Sequence, residues 1–149
     1  MEDVSVEGRI LTALFALVRA TAAEIRRAGA TTQLTVPQFF TLRLLAASEL
    51  TVTELARSLH VSMPTVTQSA DSLVAKGLVE RYTDDRDRRQ VKMRITAQGL
   101  ALMEKCRRPV DAYFARLLSA LPEERHRELA EALEAVNARV EEGSPARGA

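Results

Sequence analysis

The fold is decided by residues 51–95, TVTELARSLHVSMPTVTQSADSLVAKGLVERYTDDRDRRQVKMRI. Thr51 and Glu54 form a capping-box pattern, in which a hydroxyl and a carboxylate satisfy backbone donors reciprocally, so a short helix is expected to begin there. Ser62 is a good cap for a second helix, and Gly77 ends that helix. This order predicts two short helices joined by a tight turn.

A charged hairpin follows the second helix. Residues 90–95 alternate strictly between polar and apolar, which is the period of a half-buried strand, and residues 78–83 are apolar enough to be its partner. All six residues between them, 84–89, are charged. Because a fully charged tip cannot be buried, we expect it to project into solvent or toward an anion.

Composition indicates a helical fold. The chain of 149 residues is about one domain long, and its 46% of hydrophobic and 28% of charged residues are ordinary for a globular protein. Aromatic residues are scarce at 4%, whereas residues that favour helices are abundant. We therefore predict a mainly α fold with a small two- or three-stranded antiparallel sheet.

Amphipathic helices flank the central block on both sides. Apolar residues at three- and four-residue steps predict helices over 7–28, ended by Gly29, and over 100–121 and 123–140. Pro109 should kink or split the second of these helices. The apolar stripes exceed what one small core can cover, so a monomer would expose a large apolar patch. We therefore expect an obligate homodimer.

The second helix of the central pair has two different faces. Its inner side is apolar, whereas the other side is polar, and short hydroxyls and an amide there can reach phosphates and base edges in a major groove. The polar side carries Thr65, Gln68, Ser69, Ser72 and Lys76. An ordinary solvated helix face is the alternative. DNA is favoured because Thr and Ser are mediocre helix formers and because the Arg-rich hairpin tip suits a narrow minor groove.

Several classes of protein are excluded by the sequence. The longest apolar runs fall short of the ~18–20 residues that a bilayer crossing needs, and the first residues are acidic, unlike a secretory signal, so we expect a cytoplasmic protein. A single cysteine, Cys106, provides no internal disulfide and no Cys-based zinc cluster. His60 and His126 lack partners at ligand spacing. Catalytic motifs are absent, so we expect no enzyme, no metal and no cofactor.

At residues 34–99 the sequence resembles the MarR family of winged helix-turn-helix transcriptional regulators. The resemblance is carried by LTVPQFFTL at 34–42, LTVTELA at 50–56, VSMPTVT at 61–67 with GLVER at 77–81, and DDRDRR at 84–89 with ITAQG at 95–99. The charged hairpin, called the wing from here on, matches the family pattern Asp-x-Arg-Asp-x-Arg in full.

The resemblance implies the organisation of the whole chain. Residues 1–149 would form one MarR-type domain, with a winged helix-turn-helix lobe at 34–99 and dimerisation helices at 7–28 and 97–141. Residues 143–149 are expected to be a disordered tail. The function implied is sequence-specific binding of double-stranded DNA at a pseudo-palindromic operator. The protein would be a homodimeric repressor that a small apolar or aromatic effector releases.

The resemblance also implies the residues that contact DNA. The helix over 62–76 would be the recognition helix. Its expected contacts are Ser62, Thr65, Thr67, Gln68, Ser69, Ser72 and Lys76. In the wing, Arg89, oriented by Asp87, is the expected minor-groove arginine, with Arg86 and Arg88 in support. Many relatives carry Arg where this chain has Gln68, and a glutamine suits adenine N6 and N7 rather than guanine.

Two further assignments and one rival function stay open at this point. Phe39, Phe40 and Tyr113 are expected in the core, and the other interpretation is that some of them line a ligand pocket. Cys106 is expected to be a buried, inert thiol, although two neighbouring arginines are a weak hint of reactivity. The rival function is a winged helix that binds an acidic protein partner through its wing. A preference for duplex DNA of two-fold symmetric sequence would distinguish the two.

Overall fold

The computed structural model describes residues 5–83, 87 and 89–142. Its elements in chain order are α1 (Val6–Thr32), α2 (Val36–Ala47), β1 (Leu50–Thr51), α3 (Val52–Leu59), α4 (Met63–Ala75), β2 (Val79–Thr83), β3 (Val91–Ile95), α5 (Ala97–Leu118) and α6 (Glu123–Glu142). The predicted fold class is confirmed. The predicted tail over 143–149 lies outside the described residues, as do the wing arginines Arg86 and Arg88.

Side-chain caps start the helices of the central block where the sequence predicts them. Thr51 and Glu54 form the capping box of α3, with the Thr51 backbone N–H donating to the Glu54 carboxylate over 2.7 Å. Ser62 caps α4. Between these two helices His60 adopts a left-handed conformation with φ 53°, which ends α3 and lets the chain turn sharply. The predicted helix, tight turn and helix are therefore confirmed.

Helix α1 extends further than the sequence predicts. The expected end at Gly29 is wrong, because α1 runs to Thr32 and ends with Gln33 in a left-handed conformation at φ 56°. Gly29 serves a tertiary contact instead, since a Cβ placed on it would overlap the backbone carbonyl oxygen of Leu34. The glycine therefore permits the chain after α1 to pack closely against the helix.

Helix α5 stays in one piece through Pro109, so the predicted split does not occur. A proline inside a helix removes one backbone hydrogen bond. Cys106 and Val110, on either side of it, are both buried in the core and hold the helix on the lobe. Tertiary packing thus outweighs the local cost of the proline.

The three strands form one antiparallel sheet in the order β1-β3-β2. Val79 pairs with Ile95 and Thr83 with Val91, which is the predicted hairpin. The two-residue strand β1 adds a pair between Leu50 and Met93, and Met93 is fully buried beneath the sheet. The sheet therefore joins the base of the wing to the start of α3.

The core is formed by α1 to α5 and the sheet, while α6 supplies no buried residue among those described. Large apolar side chains on the outer helices stay substantially exposed in the single chain. They include Ile10, Leu11, Phe15 and Val18 of α1, Leu117 of α5, and Leu129, Leu133, Val136 and Val140 of α6. A second surface is needed to cover these faces.

Candidate nucleic-acid interface

The N-terminus of α4 presents two linked hydroxyls to solvent. The Ser62 Oγ accepts the Thr65 backbone N–H over 3.4 Å, and the two side-chain oxygens are 2.8 Å apart. Both residues are exposed. A helix N-terminus carries partial positive charge and unpaired backbone N–H groups, which favour contact with phosphate. This end of α4 is therefore suited to approach a nucleic-acid backbone.

Gln68 lies on the side of α4 opposite the core. Val66, Ala70 and Leu73 are buried and define the inner side, and at ~100° per residue Gln68 falls almost opposite to them. Its amide is a donor and an acceptor at the end of an exposed side chain. Thr67 is also exposed. The predicted base-contacting residue is thus free to enter a groove.

An acidic residue on the outer side of α4 was missed by the sequence analysis. Asp71, one turn after Gln68, forms an ion pair of 2.7 Å with Arg81 of β2. Both side chains are more than a third exposed, so the pair contributes little to stability. The ion pair neutralises the Asp71 carboxylate and ties α4 to β2. Asp71 follows Gln68 by three residues, and this helical spacing could have placed it beside Gln68 on the outer side of α4.

Three of the predicted contacts, Ser69, Ser72 and Lys76, lie on a flank of α4 that faces the chain itself. The Ser72 Oγ accepts a hydrogen bond of 3.0 Å from the Gln38 amide of α2, and the Lys76 ammonium donates over 3.1 Å to the Gln33 carbonyl. The Ser69 Oγ is buried and has no hydrogen-bond partner among the residues that the structure describes. Contact of this flank with DNA would compete with those bonds.

The described part of the wing tip is ordered by Asp87. Its carboxylate accepts the Arg89 backbone N–H over 3.1 Å, and its carbonyl accepts the Gln90 N–H over 2.9 Å. Asp87 therefore shapes the turn that carries Arg89, and the Arg89 residue is exposed. An exposed arginine on a hairpin turn has the reach that insertion into a minor groove requires.

A polar cluster braces the base of the wing. Arg94 of β3 binds Glu80 of β2 over 2.5 Å and lies 4.9 Å from the centre of the Tyr82 ring. The Tyr82 hydroxyl in turn donates to Glu49. The hydrogen bond and charge of Glu80 raise the pKa of Arg94 above its already high value, so the guanidinium stays charged. These contacts hold the two wing strands to the start of β1.

The residues considered for a pocket or for redox chemistry are mostly packed inside. Phe39 is 1% exposed, as the core interpretation predicts, while Phe40 is partly exposed and Tyr113 half-buried. Cys106 is fully buried, and burial raises the pKa of its thiol, while a hydrogen bond with Thr32 opposes that shift. A thiol with a raised pKa is a poor nucleophile.

The cleft between α3 and α6 is a separate feature of the lobe. Its volume is about 510 Å³. It is lined by Leu44, Arg57, Ser58, His60, Asn137 and Val140. Within the described residues there is no group of three or more His, Cys, Asp or Glu side chains arranged to hold a metal. No helix in that part of the chain is long and apolar enough to cross a membrane.

Comparison with known proteins agrees with this geometry. A family model described as the MarR family matches residues 32–90, which span the two helices and most of the wing. Over these residues the chain is similar to the MarR family. Among curated MarR relatives, the multiple antibiotic resistance protein MarR of Escherichia coli is 36% identical over 74 residues. That match covers 49% of this chain and 51% of the relative, so the chain spans about half of the length of the curated relative it matches.

Solved MarR-type structures resemble the chain over most of its length. The transcriptional regulator BldR of Sulfolobus solfataricus superposes with a TM-score of 0.79 at 25% identity, over 93% of this chain and 99% of BldR. Apo MarR of E. coli superposes with a TM-score of 0.72 at 26% identity, over 91% of this chain and 98% of MarR. The likeness therefore includes the helices outside the matched stretch.

Proposed function

We propose that this chain is a MarR-family regulator of transcription that binds double-stranded DNA of specific sequence. The observation that carries the proposal is the exposed N-terminal half of α4, where Ser62, Thr65 and Gln68 stand free of the core, together with the exposed wing residue Arg89. A helix with such an end fits a major groove, and an arginine on an adjacent hairpin fits the neighbouring minor groove.

Base reading is assigned to the outer side of α4. Gln68 would pair with adenine N6 and N7 through its two polar atoms, and Thr65 and Thr67 would contact base edges or phosphates. In the wing, Arg89 would enter the minor groove, with Arg86 and Arg88 adding phosphate contacts. These contacts divide into specific ones from α4 and mainly electrostatic ones from the wing.

The regulator would act as a homodimer. Helix α6 leaves its apolar stripe uncovered, and so does the first half of α1, so a second copy would bury both. In this arrangement residues 34–99 form the DNA-binding lobe of one MarR-type domain, and residues 7–28 and 97–141 form the dimer. Two recognition helices related by a two-fold axis would contact half-sites ~34 Å apart, which requires a pseudo-palindromic operator.

Repression released by a small molecule is the form of regulation we propose. The α3–α6 cleft supports it, because the cleft joins the turn before α4 to a helix of the proposed dimer and combines donor groups with apolar walls. A second curated relative, AdcR of Streptococcus pneumoniae, carries the name of a transcriptional regulator, and we assign this chain no catalytic role. The site of action would be the cytoplasm, where the DNA of a bacterial cell is located.

The rival function, a winged helix that binds only an acidic protein, is disfavoured. Such a partner would be bound through the wing, and its binding would not explain why Gln68 is exposed on α4.

Selection from a random duplex library with the purified protein tests the proposal. We expect a single pseudo-palindromic motif to be enriched, with its half-sites about one helical turn apart. The motif should bind more tightly than a scrambled duplex of the same length and composition at the same salt concentration. Equal affinity for the two duplexes, with no enriched motif, would refute the proposed function.

A further inference from the structure

One flank of α4 is fastened to the segment that joins α1 to α2. This segment together with the first turn of α2, residues 33–38, is called the corner below. Ser72 binds the corner through Gln38, and Lys76, one turn later on the same flank, binds it through the Gln33 carbonyl. The two bonds lie one helical turn apart, so together they fix both the position and the tilt of α4 on the corner.

Gln38 is built into the corner by a second bond. Its Oε1 accepts the Thr35 backbone N–H over 3.1 Å, while the Thr35 hydroxyl accepts the Gln38 N–H, which completes the capping box of α2. The Gln38 amide is therefore oriented by α2, and its Nε2 is left to donate to Ser72. At 6% exposure the residue is too buried for water to replace that partner freely.

The corner itself is pressed against α1. Leu34 is buried at 4% exposure, and its carbonyl occupies the space that a side chain on Gly29 would fill. Gln33 donates its N–H to the Gly29 carbonyl and accepts Lys76 with its own carbonyl. A displacement of the C-terminal end of α1 would therefore pass to α4 through rigid, close contacts.

The positions of Ser72 and Lys76 along α4 separate them from the groove-facing end. At 1.5 Å per residue they lie ~15 and ~21 Å from Ser62 along the helix, whereas a major groove is ~12 Å wide. When the N-terminal turn of α4 enters the groove, this flank lies back toward the body of the protein. The Ser72 hydroxyl and the Lys76 ammonium are already paired there.

We propose that Gln38 and Lys76 are positioning residues that hold the recognition helix on the corner, and that Ser72 acts on DNA binding through Gln38. The inference rests on the proposed function and deepens it. Because α1 belongs to the proposed dimer, the two corner bonds in each copy set the separation of the two recognition helices. Loss of these bonds loosens the match between the protein and its operator without removing a contact to DNA.

The salt dependence of binding tests the role of Lys76. Lys76→Gln is compared with the wild-type protein and with Arg43→Gln, which removes one positive charge from an exposed site on α2, outside the proposed dimer helices. For Lys76→Gln we expect ~10-fold weaker binding to the selected operator, an unchanged slope of log affinity against log salt, and unchanged affinity for random DNA. Arg43→Gln should leave all three unchanged. A slope that falls by ~0.9 for each copy, ~1.8 for the dimer, with equal losses on both DNAs, would show a phosphate contact and overturn the proposal.

A double-mutant cycle tests whether Ser72 acts through Gln38. Ser72→Ala should weaken operator binding several-fold in the wild-type background and have no further effect in Gln38→Met, because the shared bond is already lost. Equal losses in both backgrounds would mean that Ser72 contacts DNA by itself. Should Gln38→Met fail to fold, the salt measurement on Lys76→Gln decides alone.

The preferred spacing between the two operator half-sites is a measurement that a change in protein stability would not alter. Operators with half-sites one base pair closer or further apart are bound by each variant. The proposal expects the wild-type protein to prefer one spacing and Lys76→Gln to discriminate less between spacings. An unchanged preference, at reduced affinity, would overturn it. Failure of the wild-type protein to prefer any operator would instead refute the proposed function.

Discussion

The apolar face of α1 yields a quantitative prediction for the dimer. Full burial of a phenylalanine side chain stabilises by ~1.5–3 kcal/mol. Phe15 is 56% exposed in the single chain, so about half of that stabilisation, ~1–1.5 kcal/mol, is still to be gained in the dimer. A symmetric interface contains the residue twice, so Phe15→Ala should weaken association by ~2–3 kcal/mol, which is a rise in Kd of ~30–150-fold.

Sedimentation equilibrium over a wide range of protein concentration measures this Kd. Val91→Ala is the matched control, because Val91 is 50% exposed as well but lies on the wing strand β3, away from α1 and α6. We expect the control to leave the dimer Kd unchanged. The reasoning is refuted if both variants associate like the wild-type protein, or if the wild-type protein is a compact monomer at micromolar concentration.

Three other predictions concern the wing, Gly29 and the cysteine. Arg89→Ala should weaken DNA binding by ~1–3 kcal/mol and lower the salt slope by about one ion for each subunit, measured by titration at several salt concentrations; an unchanged slope would move the minor-groove contact to another wing arginine. Gly29→Ala should destabilise the fold by ~1–3 kcal/mol, because its Cβ would overlap the Leu34 carbonyl, and a melting temperature equal to that of the wild type would contradict this. Cys106 should resist a maleimide reagent at neutral pH and react after unfolding, because burial both blocks access and raises the pKa of its thiol; rapid labelling of the folded protein would show a reactive site.

The sequence predicted local features of the fold better than tertiary ones. Helix starts at Thr51 and Ser62 depend on hydrogen bonds within four residues, and both are where the pattern placed them. The end of α1 depends instead on how Leu34 packs against Gly29, which no local pattern contains. For the same reason Pro109 predicted a kink or a split, and packing on the lobe prevents the split.

The residues of the candidate site were also predicted only in part. Helical periodicity identified the polar residues of α4, and Gln68 is exposed as the pattern implies. The periodicity did not separate the residues that face outward from those that face the corner. Ser72 and Lys76 follow Gln68 at steps of four residues, so the pattern places all three on one polar side. Their partners, Gln38 and Gln33, are more than 30 residues away in the chain. Such pairs become visible only in three dimensions.

The central claim, that the outer side of α4 reads a DNA sequence, is tested most directly by one comparison. The affinity of wild-type and Gln68→Ala protein is measured for the selected operator and for random duplex DNA at one fixed salt concentration. We expect the substitution to weaken operator binding by ~1–3 kcal/mol and to leave random DNA nearly unaffected, because only the base contact is lost. An equal loss on both DNAs, or no loss on either, would contradict the claim.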